Sequence, residues 1–359
     1  MSGNDIRVGL LGYGLSGACF HAPLIAATPG LRLTTVVTRD AARREQALRE
    51  HPGVRILDAA EDLWRNAAEH DLIVIATPNR THAPLALAAL EAELPIVVDK
   101  PFARTVAEAR QVIAAARARG LLVSAYHNRR WDSELLTLQR LMSEGVLGRV
   151  LRFESRLERW RPQLKGGWRE SAAAEEAGGL LFDLGSHLID QALHLFGRAT
   201  HVYAELDSRR SGIEVDDDVF LALMHENGVR SHLWTSYLAA QHGPRMRVLG
   251  ARAAFVKQHA DMQEAVLRAG GRPEAEGWGE EPPEHWGVVT DGVDQRAVPS
   301  EKGAYQNYYV QIARALHERA PPPVDPEDAV TGLQIIEAAR RSAAEHQVIR
   351  LPIKNNPGE

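Results

Sequence analysis

Cysteine is almost missing from this chain. Cys19 is the single one in 359 residues, so no intrachain disulfide can form. Cys19 itself reads as a small residue in a helix rather than a reactive thiol. Long hydrophobic runs are missing too: none approaches the roughly 20 residues needed to span a bilayer. There is no excess of positive charge. Lys and Arg number 42 against 47 Asp and Glu, a formal net charge of −5, which gives no sign of a nucleic-acid surface. The arginines within 39–49 and 117–119 are interleaved with alanine and acids, as on solvated helix faces. The first residues, Met1 to Asp5, carry neither the basic nor the apolar region of a signal peptide. The expected compartment is the cytoplasm, with neither nucleic acid nor membrane as partner.

What is present is ordinary for a soluble globular protein: 45% hydrophobic and 25% charged residues, in a chain long enough for two cores. The first 125 residues alternate short apolar runs with Ala-rich helical stretches. Arg7 to Leu11, Leu31 to Val37, Asp71 to Ala76, Pro95 to Val98 and Leu121 to Ala125 read as strands, with helices such as Val106 to Arg119 between them. Runs apolar on both faces predict a parallel sheet covered by helices. Beyond residue 126 the pattern changes. An amphipathic helix over Ser133 to Glu144 precedes alternating segments at Val150 to Trp160, His201 to Asp207, Asp218 to His225, Val229 to Tyr237 and Arg245 to Leu249. Alternation predicts a mostly antiparallel sheet. Residues 258–303, rich in Gly, Pro and Glu, read as a long surface excursion. A last helix is expected over 325–346, packing back on the first domain.

Four short motifs carry the chemistry. Gly12-Tyr13-Gly14-Leu15-Ser16-Gly17 follows the first strand and opens a helix, the setting that G-x-G-x-x-G requires for dinucleotide binding. Its glycines allow a tight turn and close approach of a pyrophosphate to free helix N–H groups. The competing reading is a glycine turn of another α/β protein, including one that binds S-adenosylmethionine. The fold class is therefore α/β, with a Rossmann dinucleotide-binding domain over 1–125 and an α+β domain over 126–359. At the end of the second strand, Thr38 and Arg39 stand where an NAD enzyme usually has a carboxylate. A hydroxyl and a guanidinium suit a 2′-phosphate, so NADP is favoured. Asp40, slightly late, keeps NAD open, and Arg39 also reads as a helix-start surface charge.

Thr77-Pro78-Asn79 and His82 follow the fourth strand. Asn79 bonds a cofactor or shapes the turn, and His82 serves the cofactor, caps or packs. Asp99-Lys100-Pro101 closes the fifth strand and places a lysine at a carboxyl strand end, where open α/β sheets hold ligands. The plainer reading is a solvated amine. In the second half, Leu180 to Phe196 reads as a helix. Asp183, His187, Asp190 and His194 are spaced by four, three and four, forming one polar stripe. Gly178-Gly179 precedes it. The stripe is either functional or solvated, and the close-set ligand motifs of zinc sites are absent, so no metal is expected.

Together these motifs resemble the glucose–fructose oxidoreductase / inositol dehydrogenase / rhizopine catabolism (Gfo/Idh/MocA) family over nearly the whole chain. Phe20 to Leu24, Tyr126 to Asp132 and Tyr305 to Ser342 resemble its branch of NADP-dependent scyllo-inositol dehydrogenases. The resemblance implies reversible hydride transfer between a nicotinamide and a secondary alcohol of a cyclitol or sugar, with Lys100, Asp183 and His187 as catalytic residues. Asp99 stands where the family commonly has glutamate. By analogy His127, Arg129 and Trp168 line a polyol pocket beside Asp183 and His187, although the arginines at 129 and 130 equally suit salt bridges. The resemblance also implies a homodimer or homotetramer through the C-terminal sheet. Two other readings stay open: a non-catalytic NADP-binding sensor, and a reductase for another sugar such as 1,5-anhydrofructose.

Overall fold

The computed structural model describes residues 5–164, 166, 170 and 176–352. In chain order the main elements are β1 (Ile6–Leu11), α1 (Ala22–Ala26), β2 (Leu31–Val37), α2 (Ala41–Glu50), β3 (Arg55–Leu57), α3 (Ala60–Arg65), β4 (Leu72–Ile75), α4 (His82–Glu91), β5 (Ile96–Asp99), α5 (Val106–Arg119) and β6 (Val123–Tyr126). Then come α6 (Ser133–Ser143), β7 (Val150–Glu158), α7 (Ser186–Phe196), β8 (Ala199–Asp207), β9 (Asp218–His225), β10 (Arg230–Ser236), β11 (Met246–Gly250) and β12 (Ala254–Lys257). The chain closes with α8 (Gln263–Arg268), β13 (Gly287–Thr290), β14 (Gln295–Val298), α9 (Gln306–Glu318), α10 (Pro326–Glu345) and β15 (Ile349–Arg350).

The chain divides into two compact units that do not follow chain order. The first comprises residues 1–132, 262–279 and 303–330, and the second 133–261, 280–302 and 331–359.

The first unit holds a parallel sheet of order β3-β2-β1-β4-β5-β6. Val8, Leu10, Val74, Val97 and Val98 are fully buried. Such strands are apolar on both faces because helices cover both. The strand order reverses between β1 and β4, and ligands of open α/β sheets bind outside the carboxyl strand ends at such a reversal. The loops after β1 and β4 carry the glycine turn and Thr77. On α9, Tyr308 and Tyr309 are fully buried. The Tyr308 hydroxyl donates to Ser124 Oγ at 3.0 Å, and Ser124 Oγ donates to the Val324 carbonyl at 3.0 Å.

The second unit holds a sheet of order β14-β13-β12-β11-β7-β10-β9-β8-β15. Every pair is antiparallel except β7 with β10. The alternation is plain in β9, where Val219, Leu221, Leu223 and His225 are buried while their neighbours are half-buried. Helix α7 lies against β7 and β10.

The surface excursion expected over 258–303 needs correction. It contains α8 and the two strands β13 and β14, which extend the sheet beyond β12. It also delivers Glu281 to the fully buried Lys257, whose ammonium donates to Glu281 at 2.6 Å and to the His285 carbonyl at 2.7 Å. An ammonium is buried only with such partners.

Candidate active site

Three of the glycine-turn positions answer to different constraints. Gly12 has φ +93°, and a Cβ there would stand 2.5 Å from the Ala76 carbonyl oxygen. A Cβ at Gly17 would stand 2.1 Å from the Gly12 oxygen. Both glycines are demanded by the turn itself. Gly14 is not: its nearest neighbour is the Arg43 guanidinium at 3.8 Å. The open backbone at Gly14 is the room a pyrophosphate needs, so the turn fits a dinucleotide. Tyr13 points inward, is buried, and donates to Glu50 at 2.8 Å. Burial and Glu50 push its phenol well up. Leu15 is exposed.

At the end of β2, Thr38 is buried and Arg39 exposed, its Nε donating to the Asp58 carbonyl at 3.2 Å. Asp40, the residue that kept NAD open, caps α2 by accepting from the Arg43 N–H at 3.0 Å. Arg44 is committed to Asp58 and to the Thr38 carbonyl. Arg43 was not singled out in the sequence. It lies in the first turn of α2, its guanidinium within 3.9 Å of where a Gly14 Cβ would stand and 3.9 Å from Asp40.

After β4, Thr77 and Thr81 share a hydroxyl hydrogen bond at 2.7 Å, and Asn79 is buried. His82 is buried between two carbonyls, Nδ1 at 2.8 Å from the Pro101 oxygen and Nε2 at 2.8 Å from that of Thr77. It joins the turns that follow β4 and β5. Burial pushes its imidazole pKa down, against Asp99, which raises it.

Asp99 ends β5 and is buried. Its Oδ1 accepts the Lys100 backbone N–H at 2.7 Å, and its Oδ2 accepts the Ser16 hydroxyl at 2.5 Å. The carboxylate thus ties the lysine-bearing peptide to the glycine turn. The next peptide, Lys100–Pro101, is cis, and the Lys100 side chain is half-buried. Burial raises the Asp99 pKa, but His21, Lys100 and Ser16 outweigh it and hold the carboxyl below the usual carboxylate range.

His127 and Arg129 follow β6 and are buried. The Arg129 guanidinium is paired with Glu264 and stands 3.5 Å from Asp132, which accepts the Tyr305 hydroxyl at 2.7 Å. Arg130 pairs with Asp328 at 2.9 Å. Trp168 lies outside the described residues.

In the second unit, a π-helical turn over Leu181–Gly185 leads into α7. The Asp216 carboxylate accepts the Leu181 N–H at 2.6 Å, and its backbone carbonyl accepts that of Leu180 at 2.9 Å. Gly179, φ +90°, is required here because a Cβ would stand 2.4 Å from Asp216 Oδ1. Burial pushes Asp216 up to about 6. Asp183 is half-buried, His187 and Asp190 are buried, and His194 is exposed. Most of the polar stripe is therefore not a solvated face. Neighbouring Gln191 accepts from Arg245, which also pairs with buried Glu134 at 2.8 Å.

The first unit thus gathers the glycine turn, the β2 end, the Thr77 turn and Lys100 on one carboxyl edge of its sheet, while the second carries Asp183 and His187 one turn apart. Among the described residues no group of three or more His, Cys, Asp or Glu is placed to hold a metal ion.

A parallel sheet with a glycine turn at its strand-order reversal, and a lysine closing a neighbouring strand, defines a Rossmann domain of the dinucleotide-binding class. Comparison with known proteins carries this to a family. The oxidoreductase family NAD-binding Rossmann fold matches residues 6–127, and the oxidoreductase family C-terminal α/β domain matches residues 139–351. The chain belongs to the Gfo/Idh/MocA oxidoreductase family, and it is an enzyme acting on CH–OH groups. It is 36% identical to the scyllo-inositol 2-dehydrogenase (NADP(+)) IolW of Bacillus subtilis over 97% of this chain and 96% of that protein. It is 39% identical to the oxidoreductase YdgJ of Escherichia coli over 95% of this chain and 97% of that one. A solved structure of the Bacillus subtilis oxidoreductase yvaA superposes with a TM-score of 0.92 at 35% identity, covering 97% of this chain and 99% of that one.

Proposed function

We propose that this chain is an NADP-dependent dehydrogenase exchanging a hydride with a secondary alcohol of a cyclitol or sugar of the scyllo-inositol type. The observation that carries the reading is Lys100, closing a buried strand and tied through Asp99 to the glycine turn. Bound NADP supplies the hydride acceptor or donor. Gly12, Tyr13, Gly14, Leu15, Ser16 and Gly17 would form its cradle, with Thr77, Pro78, Asn79, His82 and Asp99 supporting the neighbouring strand ends. The preference for NADP rests on the end of β2, where Thr38, Arg39 and Arg43 present a hydroxyl and two cations, and where Asp40 is engaged as a helix cap. A 2′-phosphate suits that set. The naming of IolW as an NADP(+) enzyme is consistent with it.

Alcohol oxidation needs a group to take the hydroxyl proton and a cation to hold the developing alkoxide. Lys100 and His187 share that proton work, and Asp183 orients the substrate. His127, Arg129 and Trp168 are proposed to contact the polyol. Residues 1–125 serve the dinucleotide and 126–359 the substrate and assembly. No helix among the described residues is long and apolar enough to cross a membrane, and the cytoplasm is the proposed compartment. A homodimer or homotetramer forms through the outer face of the second sheet, where Phe220, Trp234 and His232 cluster and Arg156 lies 3.9 Å over the Trp234 ring.

The test is NADP+ reduction across a panel of inositols, aldoses and sugar acids, with the Lys100→Met variant beside the wild type. Turnover of scyllo-inositol or a related polyol, abolished in K100M with NADPH binding kept, is expected. Retained turnover in K100M overturns the role of Lys100, and NADPH binding without turnover of any substrate would make the chain a sensor.

A further inference from the structure

The roles proposed above leave the fully buried His21 unused. His21, in the π-helical turn Gly17–His21 that runs into α1, has no exposed surface. Its Nδ1 is 2.6 Å from the Tyr309 hydroxyl on α9, and its ring lies 4.1 Å from that of Tyr126 on β6. Its Nε2 faces Asp99 Oδ2 at 3.8 Å. Nδ1 and the Tyr309 hydroxyl share a hydrogen bond, while the buried Nε2 has no hydrogen-bond partner among the described residues and is turned toward the Asp99 carboxylate. Phe20 just before it is also fixed, its carbonyl accepting the Tyr126 hydroxyl at 2.5 Å. Side chains from α9 and β6 therefore hold this histidine against Asp99.

We propose that His21 is a positioning residue for the reaction: anchored by Tyr309, it fixes the Asp99 carboxylate, and through Asp99 it locks the glycine turn to the peptide that carries Lys100. The proposal rests on the reading of Lys100 given above. Asp99 is the junction because each of its oxygens serves a different part of the site, Oδ1 the Lys100 N–H and Oδ2 the Ser16 hydroxyl and His21. The groups facing it are His21 and Ser16 from the glycine turn and the segment after it, Lys100 from its own strand, His82 from α4, Tyr126 from β6, and Tyr308 and Tyr309 from α9. Of these, His21 contributes most to keeping Asp99 ionised. Without it, Asp99 takes up a proton at higher pH, loses its hold on the Lys100 peptide, and the lysine drifts from the reacting hydroxyl.

The experiment compares His21→Phe, His21→Gln, Tyr309→Phe and Lys100→Met, using NADP+ and the polyol with the highest turnover in the panel. A misplacement of about an ångström can cost about 100-fold in rate, so H21F and Y309F are expected to lose between about 10- and 100-fold in kcat. Their NADPH affinity, read by fluorescence titration, is expected to stay within about threefold. The acid limb of their pH–rate profiles should move to higher pH. H21Q, which keeps an N–H near the Nε2 position, should recover most of the rate and the wild-type limb. If H21F does not fold, Y309F and H21Q decide the matter. Wild-type kcat and acid limb in Y309F and H21F, with K100M inactive, overturn the role of His21 and leave that of Lys100 standing. Losses that strike kcat, NADPH affinity and melting temperature together, with no movement of the limb and no recovery in H21Q, reduce His21 to core packing. Turnover in K100M sinks the reading beneath both.

Discussion

At the scale of single residues, the glycine turn separates what the fold needs from what the ligand needs. Gly17 has no room for a methyl group, since a Cβ would sit 2.1 Å from the Gly12 oxygen. Gly14 has room, since nothing but the far end of Arg43 comes near. Gly17→Ala is therefore expected to destabilise the protein by about 1–3 kcal/mol, the range for forced overpacking. Gly14→Ala is expected to leave the melting temperature unchanged and to weaken NADPH binding, because its methyl group would occupy the ligand's space. Calorimetry and NADPH titration on the two variants check this, and a stability loss in G14A equal to that in G17A would contradict it. Lys100, the glycines and the Asp183/His187 pair were legible in the sequence because each lies in a short contiguous motif at the end of an element. His21, Tyr309, Arg43 and Asp216 were not, because their meaning comes from contacts. The His21–Tyr309 hydrogen bond spans 288 positions, and no periodicity reports such a pair.

At the scale of elements, the turn leading into α7 carries a pH-sensitive cap. Half-buried Asp216 caps it, and desolvation pushes its carboxyl from 3.8 up to about 6. A raised carboxyl binds its proton more tightly in the folded state than in the unfolded one. Its stabilising contribution is thus full below pH 3.8 and is lost as pH rises through about 6. Asp216→Asn removes the titration while keeping an oxygen to accept the Leu181 N–H. The variant is expected to be more stable than the wild type at pH 7 by up to about 3 kcal/mol, at 1.36 kcal/mol per pKa unit. That advantage should shrink toward zero near pH 4. Urea unfolding at the two pH values checks the sign, and a variant less stable at pH 7 would mean that the charge at the helix start outweighs its burial. Other elements were hidden from sequence reading by composition. β13 and β14 are four residues each, set among Gly, Pro and Glu, too short to show an alternating period.

At the scale of the whole molecule, the two sheet types were legible because strands buried on both faces and strands buried on one face have different patterns. The proposed assembly is tested at this scale. Trp234 lies on the outer face of β10, with Phe220 5.1 Å away and Arg156 across its ring. Trp234→Asp is expected to convert the assembly to monomers by light scattering, with the far-UV circular dichroism of the wild type. An unchanged mass would remove this face from the interface.

The interleaving of the two units also bears on how the chain is made. A ribosome that has released residue 132 has released all six strands of the first sheet, yet not the helix that holds Tyr308 and Tyr309 against β6 and His21. That helix begins at Gln306, and Ser124 waits for the carbonyl of Val324. Synthesis in vector order thus leaves the dinucleotide fold uncovered along one side until almost the whole polypeptide has emerged. Cutting the chain at residue 132 would yield a sheet whose carboxyl edge has lost its backing, not a minimal nucleotide-binding domain.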